Sequence, residues 1–134
     1  MTTARPGTFL LVDDSPLTHQ MYRLVFSRGP LAGSTLLHAM NGREGYGLFA
    51  AHPEIVLVLL DLNMPEMNGL EFLERRRAEE MHPGIPVVLV TTESTREDEQ
   101  RGLDAGATEY LRKPFVPADL ERLVARLQRE RPAA

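Results

Sequence analysis

The sequence feature that most constrains the fold is a run of six aliphatic residues, IVLVLL, over residues 55–60, which ends at Asp61. The run does not alternate between apolar and polar side chains, so it is typical of a strand that is buried on both faces of a parallel sheet. Parallel strands need crossover connections, and these are usually helices. The run therefore predicts an α/β protein in which strands and helices alternate along the chain.

Further segments of the chain complete that alternation. Helical patterns follow each strand candidate, the first beginning with Ser15-Pro16 and the fourth with a capping-box pattern of Ser94 and Glu97. The pattern predicts five βα units, and hence a parallel sheet with helices on both faces in one of a few doubly wound strand orders. Besides the central run, the strand candidates are residues 8–12, 34–39, 86–90 and 108–111.

Composition limits the kinds of function that such a chain can have. The 134 residues fit one domain and leave no room for a second. The chain has no cysteine, which excludes disulfides, thiol nucleophiles and cysteine-ligated metals. A net charge of −4 argues against nucleic acid as the partner, and no apolar run is long enough for membrane insertion or a signal peptide. We therefore expect a cytoplasmic protein.

Polar residues stand at the carboxyl ends of these otherwise apolar strands. Asp13 and Asp14 follow the first strand, Asp61 the third, Thr91 the fourth and Lys113 the fifth. In open α/β sheets, ligands bind beyond this edge, so we expect a functional site there. Three carboxylates in one cleft repel one another unless a cation neutralises them, and a set of oxygen ligands favours Mg²⁺.

A carboxylate that lies beside Mg²⁺, a lysine and a threonine hydroxyl has the surroundings that a phosphoryl acceptor needs. Carboxylates can act as nucleophiles that form aspartyl-phosphates. Catalysis of phosphoryl transfer consists mainly of positioning and charge stabilisation. Lys113 is the only lysine among 15 basic residues. An ammonium is a compact point charge, so a single lysine at a strand end in an arginine-rich chain indicates a functional role for this residue.

The segments FLLVDDSP, LLDLNMPEMNG, VLVTTES and AGATEYLRKPF resemble the motifs of a CheY-like receiver domain of a two-component response regulator. The resemblance covers residues 8–129, which we take as the core of a single receiver domain spanning 1–134. It implies a flavodoxin-like (βα)5 fold whose five-stranded parallel sheet has the order 2-1-3-4-5. It also implies a stand-alone signalling protein, not an enzyme, that takes a phosphoryl group from a sensor histidine kinase or a histidine phosphotransfer protein of a phosphorelay.

The resemblance assigns roles in phosphorylation and metal binding to the matching acidic residues. Asp61 matches the phosphoacceptor. Asp14 and Asp61 match the direct ligands of Mg²⁺, and Asn63 offers its backbone carbonyl to the same ion. Asp13 matches the acid that reaches the metal through water.

The resemblance assigns further roles in switching and in the lifetime of the phosphorylated form. Lys113 and Thr91 match residues that contact the phosphoryl group, and Tyr110 matches the aromatic side chain that turns inward when Thr91 moves. Asn63 and Glu93 match positions that tune the phosphoryl lifetime, for which we expect seconds to minutes. The downstream protein target is expected on the face formed by the fourth helix, the fifth strand and the fifth helix.

Three alternatives to an active receiver differ in what they require of the site. A haloacid-dehalogenase-like phosphatase also forms an aspartyl-phosphate, but it needs a second aspartate two residues after the nucleophile, where this chain has Asn63. A flavodoxin-like cofactor binder needs a phosphate-cradling loop after the first strand, where Asp13 and Asp14 would repel a phosphate. A degenerate receiver that is never phosphorylated is the third alternative, although no acidic or basic site residue is missing.

The histidines and a run of arginines are interpreted as structural or exposed residues. Residues 75–77 are arginines in a helix that is rich in glutamate, which is typical of a solvated face rather than of a nucleic-acid site. No ligand spacing relates the four histidines, His19, His38, His52 and His82.

Overall fold

The computed structural model describes residues 4–92 and 95–130. The strands are β1 (Thr8–Val12), β2 (Thr35–Ala39), β3 (Ile55–Asp61), β4 (Val87–Thr91) and β5 (Glu109–Arg112). The helices are α1 (Pro16–Phe26), α2 (Gly42–Ala51), α3 (Gly69–Glu79), α4 (Arg96–Asp104) and α5 (Pro117–Glu130), and a short 3-10 helix, Gly29–Leu31, follows α1. No helix in the two described ranges is long and apolar enough to cross a membrane.

The strands form one parallel sheet in the order β2-β1-β3-β4-β5, which confirms the predicted strand order. Successive residues of β1 face opposite sides of this sheet. Phe9 and Leu11 belong to the core layer that includes residues of α1 and α5, whereas Leu10 and Val12 belong to the layer that includes residues of α2 and α3. Because both faces are covered, the strands need apolar residues at successive positions, which explains the absence of alternation.

The helix caps agree with the sequence at α1 and differ from it at α4. Ser15 caps α1 as predicted, because its hydroxyl accepts a hydrogen bond from the Thr18 N–H at 3.3 Å. The capping box of α4 is formed by Thr95 and Asp98, so the predicted pair of Ser94 and Glu97 is wrong. Two candidate capping boxes, one residue apart, are present in the sequence. The helix uses the later one, because it begins at Arg96, directly after Thr95. Ser94 itself lies outside the described residues.

Arg76 is buried, so the prediction of a solvated face for residues 75–77 is wrong at this position. Its guanidinium donates to the backbone carbonyls of Met81, His82 and Ile85, at 3.2, 2.8 and 2.5 Å respectively. These carbonyls lie in the segment between α3 and β4. Arg76 therefore supplies side-chain donors to the carbonyls of a loop that has no regular secondary structure.

The segment that precedes β1 is tied to the last helix through one side chain. The backbone N–H of Arg5 donates to Gln128 Oε1 at 2.9 Å, and Gln128 Nε2 donates to the Arg5 carbonyl at 2.8 Å. Gln128 is buried. Residues that are 123 positions apart in sequence are thus joined by two hydrogen bonds.

Gly42 and Gly47 of α2 form a matched pair for a stability prediction. A Cβ atom at Gly42 would lie 1.8 Å from the Met67 carbonyl oxygen, whereas one at Gly47 would meet nothing within 4 Å. We expect Gly42→Ala to lower the free energy of unfolding by about 1–3 kcal/mol, because the backbone at Met67 must move. Gly47→Ala should raise it by ~0.5–1 kcal/mol, since alanine favours a helix interior. Urea unfolding of both variants measures this, and equal effects of the two substitutions would contradict the described contact.

Candidate functional site

Three carboxylates meet at the carboxyl edge of the sheet. Asp13 and Asp14 follow β1, Asp61 ends β3, and oxygen atoms of the three side chains all lie within 4.8 Å of one another. The two strands are neighbours, with Val12 paired to Leu60, which brings their ends together. Asp13 is 1% exposed and Asp61 9% exposed, whereas Asp14 faces solvent. The structure thus brings together the acids that the sequence places at different strand ends.

Lys113 joins the acid cluster through Asp13. The Lys113 ammonium donates to Asp13 Oδ2 at 2.6 Å, and the other carboxylate oxygen, Oδ1, accepts from the Ser15 N–H at 2.9 Å. The lysine follows β5, and its backbone N–H donates to the Thr91 carbonyl at 2.8 Å. The peptide bond between Lys113 and Pro114 is cis. Both oxygens of Asp13 are therefore engaged within the protein.

Thr91 ends β4 next to the cluster and carries an unusual hydroxyl. The residue is 2% exposed, and it directly follows Val90, the partner of Asp61 in the sheet. Within the described residues, Thr91 Oγ1 is the buried side-chain oxygen or nitrogen that lacks a hydrogen-bond partner. A buried polar group without a partner costs about 1–3 kcal/mol, so its retention points to a functional use.

The surroundings of Asp61 change its acidity. Burial raises its pKa to about 6, and the Asp13 and Asp14 carboxylates raise it as well. The Lys113 ammonium and a hydrogen bond from the Asn63 backbone N–H act in the opposite direction. The ionised carboxylate is thus held in an environment that favours partial neutralisation by a proton or a cation.

The turn between β3 and α3 holds Asp61 through close backbone contacts. A Cβ atom at Gly69 would lie 2.6 Å from the Asp61 carbonyl oxygen, so the start of α3 can approach this strand end only with glycine there. Asn68 and Glu71 form a capping box that fixes the first turn of α3. Asn63, in the same turn, is exposed.

Of the other predicted site residues, Tyr110 lies within β5 rather than at the end of a strand. Tyr110 is partly buried in β5, where it pairs with Leu89 and packs against the core layer that includes residues of α2 and α3. Glu93 lies outside the described residues.

Sequence reasoning missed two α1 residues behind the cluster, His19 and Tyr22. Both are buried, and His19 Nε2 is 2.8 Å from the Asp13 carbonyl oxygen. Burial raises the pKa of the Tyr22 hydroxyl, and the Asp13 and Asp61 carboxylates raise it further, so the hydroxyl stays protonated. The Tyr22 ring stacks on the ring of Phe115, which lies two residues after Lys113. His19 and Tyr22 are three residues apart, which is typical of one helix face, and this spacing is the signal that could have identified them.

Comparison with known proteins identifies the family to which this arrangement belongs. The family model of the response regulator receiver domain matches residues 9–127. The chain belongs to the response regulator receiver family. The phosphatase and the flavodoxin-like cofactor binder are thereby excluded as families, and the receiver is a signalling module of two-component signal transduction.

Relatives of this receiver include chemotaxis proteins of similar length. It is 35% identical over 112 residues to a chemotaxis protein CheY homolog of Campylobacter jejuni, covering 84% of this chain and 85% of that protein. The crystallised chemotaxis protein CheY4 of Vibrio cholerae is 33% identical, with a TM-score of 0.79 over 91% of this chain and 98% of that chain. The signal receiver domain of a signal transduction histidine kinase from Syntrophus aciditrophicus is 29% identical, with a TM-score of 0.81 over 96% and 94%.

Proposed function

We propose that this receiver accepts a phosphoryl group on Asp61 and signals by phosphorylation-dependent protein binding. The observation that carries the proposal is the convergence at one sheet edge of the acid cluster, the Lys113 ammonium and the unpartnered Thr91 hydroxyl. A negative charge, a positive charge and a free donor are what a phosphoryl acceptor site requires.

The acid cluster fits a hard divalent cation such as Mg²⁺, which prefers oxygen ligands and keeps several waters. We propose that Asp14 and Asp61 ligate the ion directly, together with the backbone carbonyl of Asn63. Asp13 would reach it through water, since both of its carboxylate oxygens already accept hydrogen bonds. When bound, Mg²⁺ supplies positive charge that offsets the repulsion between these acids and the phosphoryl oxygens.

The side chains of the receiver divide the work of phosphoryl transfer. Asp61, with a pKa of about 6, is ionised at neutral pH and attacks phosphorus. A bond forms between its carboxylate oxygen and phosphorus as the phosphorus–nitrogen bond of the phosphohistidine breaks, and the electron pair of that bond stays on the imidazole. Lys113 stabilises the phosphoryl oxygens by its charge and Thr91 by its hydroxyl. The receiver catalyses its own modification but remains a signalling module rather than an enzyme.

The switch that follows phosphorylation would run through β5. Thr91 moves toward a phosphoryl oxygen, and Tyr110, which is partly buried, turns inward and shifts an existing equilibrium between two states. Arg112 of β5 pairs with the buried Glu99 of α4 at 2.8 Å, which supports mechanical coupling between the two elements. We propose that a downstream protein target binds the face formed by α4, β5 and α5.

The proposed phosphoryl donor is a sensor histidine kinase or a histidine phosphotransfer protein. The exposed Leu17 of α1 and Val116 of the loop before α5 lie in segments that follow Asp14 and Lys113, and they offer apolar contacts to such a donor. We propose that residues 1–134 form a single receiver domain that signals in the cytoplasm, with readout through proteins rather than nucleic acid or membrane.

The proposed function is tested by incubating the receiver with a small acyl-phosphate donor and Mg²⁺ and measuring the intact mass. We expect the gain of one phosphoryl group, which is lost in Asp61→Asn and in wild-type protein treated with a metal chelator. An exposed carboxyl remote from the site, Asp104, gives a matched control, because Asp104→Asn should be phosphorylated normally. Absence of any mass gain in the wild type would leave the degenerate receiver as the correct description.

The lifetime of the phosphorylated form is predicted from the residues at the two tuning positions, Asn63 and Glu93. We expect seconds to minutes, since an amide and a carboxylate are also the residue types at these positions in the chemotaxis regulator that the sequence resembles. The decay of the phosphorylated mass after donor removal measures this directly. A lifetime of many hours would show that these positions do not set the rate in this receiver.

A further inference from the structure

A pair of histidines lies behind the acid cluster and contacts its backbone. His19 of α1 is 2% exposed, and its Nε2 lies 2.8 Å from the Asp13 carbonyl oxygen. A carbonyl oxygen can only accept, so Nε2 must carry a proton and donate it. In a neutral His19 this leaves Nδ1 without a proton, as an acceptor.

The second histidine, His38 of β2, donates a hydrogen bond to Nδ1 of His19. The Nδ1 atoms of His19 and His38 are 2.7 Å apart, and the two rings meet edge to face. With both rings neutral, His38 Nδ1 must be the donor, so each contact fixes one tautomer. The pKa of His38 is below its ordinary value because of burial, and the neighbouring His19 and Arg23 lower it further, which agrees with a neutral His38.

The group that this pair holds belongs to the acid cluster. The Asp13 carbonyl is part of the peptide plane that joins Asp13 to Asp14, and a peptide plane turns as one unit. The N–H of Asp13 donates to the Ala39 carbonyl of β2 at 3.1 Å. Both backbone groups of Asp13 are thereby fixed, one by β2 and one by His19. The direction in which Asp14 leaves that plane toward Asp61 depends on the same contact.

We propose that His19 and His38 are positioning residues, which hold the Asp13–Asp14 peptide so that both carboxylates stay directed into the Mg²⁺ pocket. This inference rests on the proposed function. Neither histidine touches the metal or the phosphoryl group, and each acts through the backbone of Asp13. Groups that orient metal ligands typically change metal affinity by 10–100-fold when they are removed, and a backbone contact one step further away should give about tenfold.

Four variants separate positioning from simple packing. In His19→Gln the amide nitrogen can replace Nε2, and in His38→Asn the amide nitrogen can replace Nδ1, so both should bind Mg²⁺ within about twofold of the wild type. His19→Leu and His38→Leu remove the hydrogen bonds and should weaken Mg²⁺ binding about tenfold. Mg²⁺ affinity is read from amide NMR titrations of Asp13 and Asp14. His52→Leu is the control, because His52 forms a hydrogen bond with the Glu54 side chain and not with Asp13. This variant should bind Mg²⁺ as tightly as the wild type.

A second measurement needs no variant and stands even where a leucine variant does not fold. Nitrogen-15 shifts of the wild-type imidazoles should show protonated Nε2 in His19 and protonated Nδ1 in His38. The opposite tautomers, wild-type Mg²⁺ affinity in both leucine variants, or equal losses in the amide and leucine variants would each overturn the proposal. Wild-type protein that fails to be phosphorylated by the acyl phosphate would overturn the proposed function, whereas normal phosphorylation with unaffected leucine variants would overturn only the positioning role.

Discussion

Replacing Lys113 by arginine is expected to leave the receiver folded but to impair its switching at least about tenfold. The Lys113 side chain is 15% exposed, and its ammonium lies 2.6 Å from Oδ2 of the buried Asp13. A guanidinium keeps the positive charge but is broader and planar, so it cannot place one compact donor between Asp13 and a phosphoryl group on Asp61. Lys113→Ala should affect phosphorylation itself, before any switching, and slow it by about 100-fold, because a donor to the transferred group is lost.

The two effects are measured separately. Intact mass against time gives the phosphorylation rate, and amide shift changes near Tyr110 and in α4 on adding a phosphoryl mimic give the extent of switching. Arg122→Lys is a matched control, because Arg122 pairs with Asp119 at the exposed surface of α5 and lies outside the acid cluster. Full switching by Lys113→Arg would mean that the single lysine reflects only a general preference for arginine in this chain.

Asp61→Asn is expected to stabilise the metal-free receiver although it abolishes phosphorylation. The pKa of Asp61 is raised from 3.8 to about 6, so the folded state holds the proton more tightly than the unfolded state. The wild type therefore loses stability as the pH rises from about 4 to about 6, and the asparagine variant does not. The difference in the free energy of unfolding above about pH 6 should reach ~1–2 kcal/mol, after allowance for partial solvent screening.

Urea unfolding at several pH values in a metal chelator measures this difference. It should vanish below about pH 4, where the wild-type carboxyl is protonated in both states. Added Mg²⁺ should reverse the order of stability, since a saturating ligand at 100 times its dissociation constant contributes about 2.7 kcal/mol to the protein that binds it. Asp104→Asn should show neither effect. A variant less stable than the wild type throughout this range would contradict the described burial of Asp61.

Much of this fold is predictable because the apolar pattern of each strand matches its burial in the parallel sheet. The unalternating run that ends at Asp61 follows directly from burial on both sheet faces. The polar residues after the strands meet because all parallel strands end at the same sheet edge. Some strand limits differ by one residue from the prediction, because the hydrogen-bonding groups of the backbone decide where a strand begins. β4 begins at Val87, because Pro86 has no N–H to join the ladder.

The unpredicted parts depend on partners that are distant in sequence. Glu99 is buried in a helix with a polar sequence because Arg112, on another element, neutralises it. Arg76 is buried because three carbonyls of a following loop converge on it. The sequence gives no sign that His19 contacts His38, because this contact requires α1 and β2 to be already in place. No helical or strand period encodes such pairs.

The double hydrogen bond between Arg5 and Gln128 has a consequence for how this receiver can be connected to other proteins. Arg5, which precedes β1, and Gln128, near the end of α5, lie side by side. A host protein could therefore carry the receiver as an insert in a surface loop with little separation between the two attachment points. For the same reason, a short linker between these points would allow new chain ends to be opened elsewhere. The short distance between the two attachment points is held by one glutamine side chain.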